Sequence, residues 1–352
     1  MLFLEKYLIF CFVDLQKAHI FALVPLLIRE ELFFHFYLLL LHCKYHFTPY
    51  YIIYTENMAV SKYANQIKKS IERLTSQEFD GKLMHQSHED EPYPSLDKIM
   101  EFIELTRSVL FPGFFGNTSI NTTTLPYHIG VTTERIFQLL WEQLYAGACF
   151  DCTDEERNLP GKKKAAMDMA AAFIEHLPDI KCMLRTDVEA IYKGDPAAKN
   201  FGEIILAYPG IKAISNYRIA HELLTLGASA IIPRIITEMA HSETGIDIHP
   251  GATIGKYFAI DHGTGIVIGE TCIIGENVKL YQGVTLGAKS FPTDDNDEII
   301  KGIERHPILE DNVVVYAGAT ILGRITIGKN AVIGGNTWVT QPVPEGTVLI
   351  KK

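Results

Sequence analysis

His262 directly follows Asp261 in Asp-His-Gly-Thr-Gly, and Arg305 directly precedes His306 in Arg-His-Pro. An imidazole with a pKa near 6.5 is neutral enough at physiological pH to take a proton, and an alcohol needs such a base before it attacks. A carboxylate on the other ring nitrogen can fix the tautomer and stabilise the imidazolium. A guanidinium can grip a carboxylate as a two-pronged fork. Asp247 lies 15 residues before His262, and Asp195 stands in Gly-Asp-Pro. Each residue also has a plainer reading. His249 and His262 can be polar corner residues, Asp247 and Asp261 turn-forming Asx residues, Asp195 a turn or helix cap, and Arg305 surface charge. His221, Tyr217 and Arg218 read as structural.

Other patterns carry less. Cys149-Phe-Asp-Cys152 has CxxC spacing, but no second pair and no βαβ pattern accompany it, so inert thiols at a helix end are the expectation. Asp-Asp-Asn-Asp (294–297) lacks the Gly and distal Glu of a calcium loop and reads as a solvated acidic tip. Gly263-Thr-Gly265 followed by Gly269 is not GxGxxG, and no helix pattern follows it. His249, His262 and His306 offer three zinc ligands with an open position, yet none forms a close ligand pair.

The elements that must hold these groups show in the spacing of apolar residues. Every sixth residue from Ile248 is apolar: Ile248, Ile254, Ile260, Ile266, Cys272, Val278 and Val284. A second run follows: Leu309, Val315, Ile321, Ile327, Ile333 and Val339. A period of six belongs to hexapeptide β-helix repeats. Each repeat makes a short strand and a corner, and three repeats close a triangular coil of roughly 18 residues. Inward aliphatics then stack in columns, and glycines such as Gly255, Gly275 and Gly323 ease the corners. Cys272 falls on an inward column, where packing is its role. The segment 288–307 interrupts the repeat and is an excursion from the coil.

Residues 58–245 read as helical. Ile67, Ile71 and Leu74 share one face of a helix over 63–74. The stretch 132–145 has a threonine N-cap candidate at its start. The stretch 164–177 is rich in helix formers, and Pro178 is expected to stop it. Further helices are expected over 211–226 and near Pro233.

The chain has 352 residues, 47% of them hydrophobic and 21% charged, with a formal net charge of −10. That composition excludes disorder, and the acidic balance argues against a nucleic-acid surface. Six cysteines without regular spacing fit a reducing compartment. Residues 1–57 stand apart. They contain no glycine and hold 14 of the 37 aromatic residues. Asp14, Lys17, Arg29, Glu30, Glu31 and Lys44 interrupt every window long enough for a membrane anchor, and Glu5 and Asp14 occupy the region that a signal peptide keeps basic. The segment is expected to be upstream sequence read from a start placed too early, with Met58 as the start. A membrane-associated helix and a structured extension are the alternatives.

Several stretches together resemble serine O-acetyltransferases. They are Gly-Ile-Asp-Ile-His-Pro-Gly-Ala-Thr-Ile-Gly (245–255), Asp-His-Gly-Thr-Gly-Ile-Val-Ile-Gly-Glu (261–270), Gln-Gly-Val-Thr-Leu-Gly (282–287), Arg-His-Pro (305–307) and Gln-Pro-Val-Pro (341–344). Asp-Val-Glu-Ala-Ile-Tyr-Lys-Gly-Asp-Pro-Ala (187–197) and Asn-Tyr-Arg-Ile-Ala-His (216–221) resemble the family's helical part. The resemblance covers roughly 185–345 in detail and 60–185 in helical character.

The resemblance implies an α+β chain: a helical domain over 58–245, then a left-handed parallel β-helix over 246–345 and a short tail, 346–352. It implies acetyl transfer from acetyl-CoA, a co-substrate, to the hydroxyl of L-serine, as the first step of cysteine biosynthesis. His262 would be the base and Asp247 its partner, with direct attack on the thioester and no acyl-enzyme. Asp195 and Asp261 would contact the amino acid, Arg305 would grip its carboxylate, and His306 would assist. Gly287, Ala288, Ala317 and Gly318 would line the pantetheine groove. No metal is expected. The active site would lie between neighbours of a homotrimer, alone or paired as a dimer of trimers, in the cytoplasm, with cysteine as feedback inhibitor. The loop before Arg305 is longer and more acidic than in compact members, which bears on CoA access. Docking of a terminal isoleucine into cysteine synthase is not expected. A related hexapeptide acyltransferase acting on a sugar or amine, a zinc hydratase and a non-catalytic scaffold are the competing readings.

Overall fold

The computed structural model describes residues 63–76, 92–116, 119–152 and 161–350. Residues 1–57, with the expected start at Met58, lie outside them. Two compact units divide the chain, Met1–Gln86 and Ser87–Lys352. In the first, helix α1 (Ala64–Leu74) carries Ile67, Ile71 and Leu74 exposed.

The described part of the second unit starts with six helices: α2 (Leu96–Leu110), α3 (Leu125–Phe150), α4 (Lys162–Gly194), α5 (Phe201–Ala207), α6 (Pro209–Thr225) and α7 (Ile231–Thr244). Two differ from the sequence reading. α3 begins seven residues earlier, with Pro126 in its first turn, and Thr132 is buried inside it. α4 passes through Pro178 instead of ending there. An interior proline costs about 3 kcal/mol. Leu177, Ile180 and Leu184 are buried around it, at about 1.5–3 kcal/mol each, so continued packing outweighs the lost hydrogen bond. Among the described residues no helix is long and apolar enough to cross a membrane.

Gly245, left-handed at φ +69°, ends α7 and starts the solenoid. Fourteen short strands form three parallel sheets, the faces of a triangular prism. Face A stacks β1 (Asp247–Ile248), β4 (Val267–Ile268), β7 (Thr285–Gly287), β10 (Thr320–Leu322) and β13 (Trp338–Val339). Face B stacks β2 (Thr253–Ile254), β5 (Ile273–Ile274), β8 (Ile308–Leu309) and β11 (Thr326–Ile327). Face C stacks β3 (Ala259–Asp261), β6 (Lys279–Tyr281), β9 (Val314–Val315), β12 (Val332–Ile333) and β14 (Val348–Leu349). This is a left-handed β-helix of hexapeptide repeats. All thirteen six-spaced residues are buried. β14 pairs with β12, so the coil continues past residue 345.

The first coil departs from the even period. Ile248 pairs with Ile268, two residues later than three hexapeptides would place it. The extra residues swell the corner after β3, where His262, Gly263 and Gly265 take φ of +57°, +92° and +81°. The inward column therefore changes register there. Asn277, Asn312 and Asn330 adopt left-handed conformations at the B-to-C corner, and their side chains form a ladder with 2.8 and 3.0 Å links. Asparagine tolerates that backbone better than other side chains.

The first coil's outer carbonyls have no strand to meet, and an open sheet end is costly. Helices cap it. Tyr217 Oη donates to the Ala252 carbonyl at 2.6 Å, and Arg218 donates to the Gly255 carbonyl at 2.9 Å. Arg218 also forms a buried fork with Asp187 at 2.6 and 2.8 Å. His221 Nδ1 meets the Pro250 carbonyl at 2.8 Å. These are the structural roles expected of the three residues.

Candidate active site

Apart from Asp247, the expected site residues fall on two edges of the prism. The chain crosses from face C to face A at His262, again at Gln282–Val284, and again at Ala317–Ala319. It crosses from face A to face B at His249–Ala252, at Gly269–Cys272 and through the long excursion 288–307.

On the C-to-A edge, the His262 side chain is 74% exposed, with Nε2 3.7 Å from Asp261 Oδ1. The swollen corner presents it outward. Asp195, the residue after α4, reaches the same place. Its carboxylate accepts from Tyr208 Oη at 2.7 Å and from the Ala197 N–H at 2.8 Å. The Tyr208 hydrogen bond, then that of Ala197, holds the Asp195 carboxyl below the usual carboxylate range. The same contact pushes the Tyr208 phenol up to about 12. Lys279 Nζ lies 2.8 Å from Asp261 Oδ2 and donates to the Gly194 carbonyl at 2.8 Å. Farther along the edge, Tyr281 and Tyr316 stack at 5.0 Å, and Ala317 and Gly318 follow. Gly318 is left-handed at φ +69°, and a side chain there would strike Asn336.

On the A-to-B edge stand Gly287, Ala288, Arg305 and His306. Thr271 organises the last two: its Oγ1 accepts from the backbone N–H of Arg305 at 3.0 Å and of His306 at 3.1 Å. The Thr271 N–H donates to His306 Nδ1 at 3.0 Å. His306 is 6% exposed, and burial, with Arg305 beside it, lowers its pKa to about 4. Its ring packs on Gly269, where any side chain would clash. Arg305 donates to Glu270 at 2.7 Å and to the Ile303 carbonyl at 3.2 Å. Gly287 and Ala288 lead from β7 into the excursion, whose Thr293 and Ile299 pair as an antiparallel bridge. Asp294 Oδ1 accepts from the N–H groups of Asn296 and Glu298 at 2.8 and 3.0 Å, which makes the acidic tip a tight turn. A cavity of about 350 Å³ opens between Glu270, Arg305 and the hairpin residues Phe291, Ile299 and Ile303.

Asp247 takes a third position. It faces Arg234 at 3.9 Å, and among the described residues no ion pair joins it to His262. Glu238, His241 and Asp247 bring ligand-type atoms within 4.8 Å of one another, and Arg234 pairs with both carboxylates. His249 accepts the Gly251 N–H at 3.0 Å, and burial lowers its pKa. His249 and His306 belong to the A-to-B edge and His262 to the other, so the three do not converge within one chain. Burial pushes the Cys272 thiol up to about 12 on its inward column. Cys149 is buried at the end of α3, and the Cys152 thiol donates to the Ala148 carbonyl.

Sequence reasoning missed Lys279, Tyr208, Thr271 and Glu270. Lys279 carries the only faint signal, a charge among the strand residues of β6. The others act across 13 to 35 residues of chain, and no local pattern reveals that.

A family model for bacterial transferase hexapeptide (six repeats) matches residues 306–341. A plasmid serine acetyltransferase of Synechococcus elongatus is 49% identical over 261 residues, covering 73% of this chain and 82% of the relative. A serine acetyltransferase of Bacillus licheniformis is 46% identical over 168 residues, 48% of this chain and 73% of the relative. The crystal structure of Entamoeba histolytica serine acetyltransferase 1 in complex with L-cysteine superposes with a TM-score of 0.63 at 37% identity, covering 75% of this chain and 91% of that one.

Proposed function

The chain belongs to the serine acetyltransferase family, and on that premise we propose that it moves acetyl from acetyl-CoA to the L-serine hydroxyl with His262 as general base. The observation that carries the reading is the division of the expected residues between two edges. One edge offers an exposed imidazole with carboxylates beside it. The other offers a guanidinium beside a half-open cavity. An amino acid with a hydroxyl needs both kinds of group, and a cyclic assembly of identical chains brings one chain's edge against the next chain's other edge. We therefore read the active unit as a homotrimer.

His262 takes the serine Oγ proton as Oγ attacks the thioester carbonyl. The new C–O bond forms, the C–S bond breaks, and the proton passes to the leaving thiolate. No acyl-enzyme is needed, and Cys272 is too buried to supply one. Asp195 accepts two neutral hydrogen bonds and no ion pair among the described residues, so it keeps a net charge for the substrate ammonium. Asp261 is already paired with Lys279 and serves the ammonium less. Arg305 takes the substrate carboxylate in exchange for Glu270. Asp247 is the second carboxylate available to the imidazolium once Arg234 releases it. Gly287, Ala288, Ala317 and Gly318 leave the groove floor open to the pantetheine.

L-Cysteine differs from serine by sulfur for oxygen, so the same ammonium and carboxylate contacts fit it as an inhibitor. The Entamoeba relative solved with L-cysteine supports that reading. Four cysteines outside any disulfide among the described residues fit a reducing cytoplasm. The test is thiol release from acetyl-CoA with a panel of acceptors. Release that depends on L-serine, with O-acetylserine as product, is expected; release driven instead by a sugar or another amine would replace the reading.

A further inference from the structure

We infer that Lys279 is a positioning residue for the proposed acetyl transfer: its ammonium draws Asp261 away from His262 and ties the end of α4, which carries Asp195, to the solenoid. The inference rests on His262 being the base. Three segments distant in sequence meet at Nζ. Asp261 from β3 and the Gly194 carbonyl from α4 each lie at 2.8 Å, and the Tyr281 ring centre lies at 4.5 Å. Gly194 is the last residue of α4, where the helix dipole favours a cation. The Lys279 and Asp261 side chains are only 18% and 19% exposed, so solvent screens this pair less than an open surface pair.

The charged and titratable groups around this corner are Asp261, which ends β3 just before the ring, Asp195 beyond α4 with Tyr208 hydrogen-bonded to it, and Lys279 and Tyr281 on β6. Among the described residues Lys279 is the one cation paired with Asp261, and Asp195 has no ion pair. Without Lys279, the Asp261 carboxylate 3.7 Å from the exposed imidazole loses its cation, which favours the ring's protonated form. A protonated ring cannot act as base. Lys279 thus offsets the Asp261 charge beside the imidazole and fixes the spacing between Asp195 and the corner.

The test uses the full chain. Lys279→Met is expected to move the acid limb of kcat/KM for serine to higher pH by about half a unit to one unit. The His262 ring signal, assigned by its loss in His262→Asn, should titrate correspondingly higher by NMR. Lys279→Arg should restore both, and in an Asp261→Asn background Lys279→Met should move neither. An unmoved ring titration in Lys279→Met, or an equal shift without Asp261, overturns the inference. If Lys279→Met does not fold, Asp261→Asn alone decides: the ring must then titrate lower than in wild type, and no change rejects the proposal. The ring titration reports on Lys279 even if His262→Asn proves fully active, an outcome that would reject the base assignment separately.

Discussion

His262 and Arg305 stand on different edges of one triangular solenoid: His262 follows β3 where face C turns into face A, and Arg305 precedes β8 where face A turns into face B. In the proposed trimer, one chain would therefore present each half of the site to a different neighbour. The hexapeptide coil fixes this, because residues at different corners cannot approach without unwinding paired strands.

Activity should follow assembly. Diluted until sedimentation shows monomers, the enzyme is expected to lose at least about tenfold in specific activity, because effective concentration at the second edge vanishes. Undiminished specific activity of a proven monomer would contradict a shared site.

Tyr208→Phe removes the hydroxyl that donates to Asp195 at 2.7 Å. A lost hydrogen bond to a charged group weakens substrate contact, so KM for serine should rise about three- to tenfold with a smaller change in kcat. Steady-state kinetics at saturating acetyl-CoA checks this. An unchanged KM would remove Asp195 from the serine site.

His306 gives a pH signature. Its folded pKa, about 4, lies below the unfolded value near 6.5. The unfolded chain binds the proton first as pH falls, so stability is intact above about pH 7 and is lost between about 6.5 and 4. The loss is up to about 3 kcal/mol. Urea unfolding at several pH values should show this slope in wild type and a flatter one in His306→Gln.

Arg218→Met breaks the buried fork to Asp187 and strips a cap from the first coil. Leaving a buried carboxylate unpaired costs about 3–5 kcal/mol, so the variant should unfold at markedly lower urea. The double change Arg218→Met with Asp187→Leu should recover most of that loss.

The columns of Ile248 and Leu309 were legible because burial in a coil repeats on a fixed step. The two-residue swelling at His262 was not, because the six-spaced count stays apolar on either side of it: both Ile266 and Ile268 point inward. The period thus located the coil but hid the register change that exposes the imidazole. Pro178 misled because local propensity carries no information about how much of α4 is buried elsewhere. Asp195, Asp261 and Arg305 could be named from their motifs. Their partners Tyr208, Lys279 and Glu270 could not, since those contacts exist only after α4, β6 and the excursion are assembled. The pairing of Asp247 with Arg234 has the same origin.

Mixing two inactive variants tests the split site most directly. His262→Asn is the suitable first variant, because position 262 has φ +57° and asparagine accepts that backbone without strain. Arg305→Gln is the second. Each alone should lose about 100-fold or more in serine-dependent CoA release. Unfolded together in equal amounts and refolded, they should regain about a quarter of wild-type activity, the share of seams that pair an intact His262 edge with an intact Arg305 edge in a random ring. A mixture no more active than its parents would contradict the account.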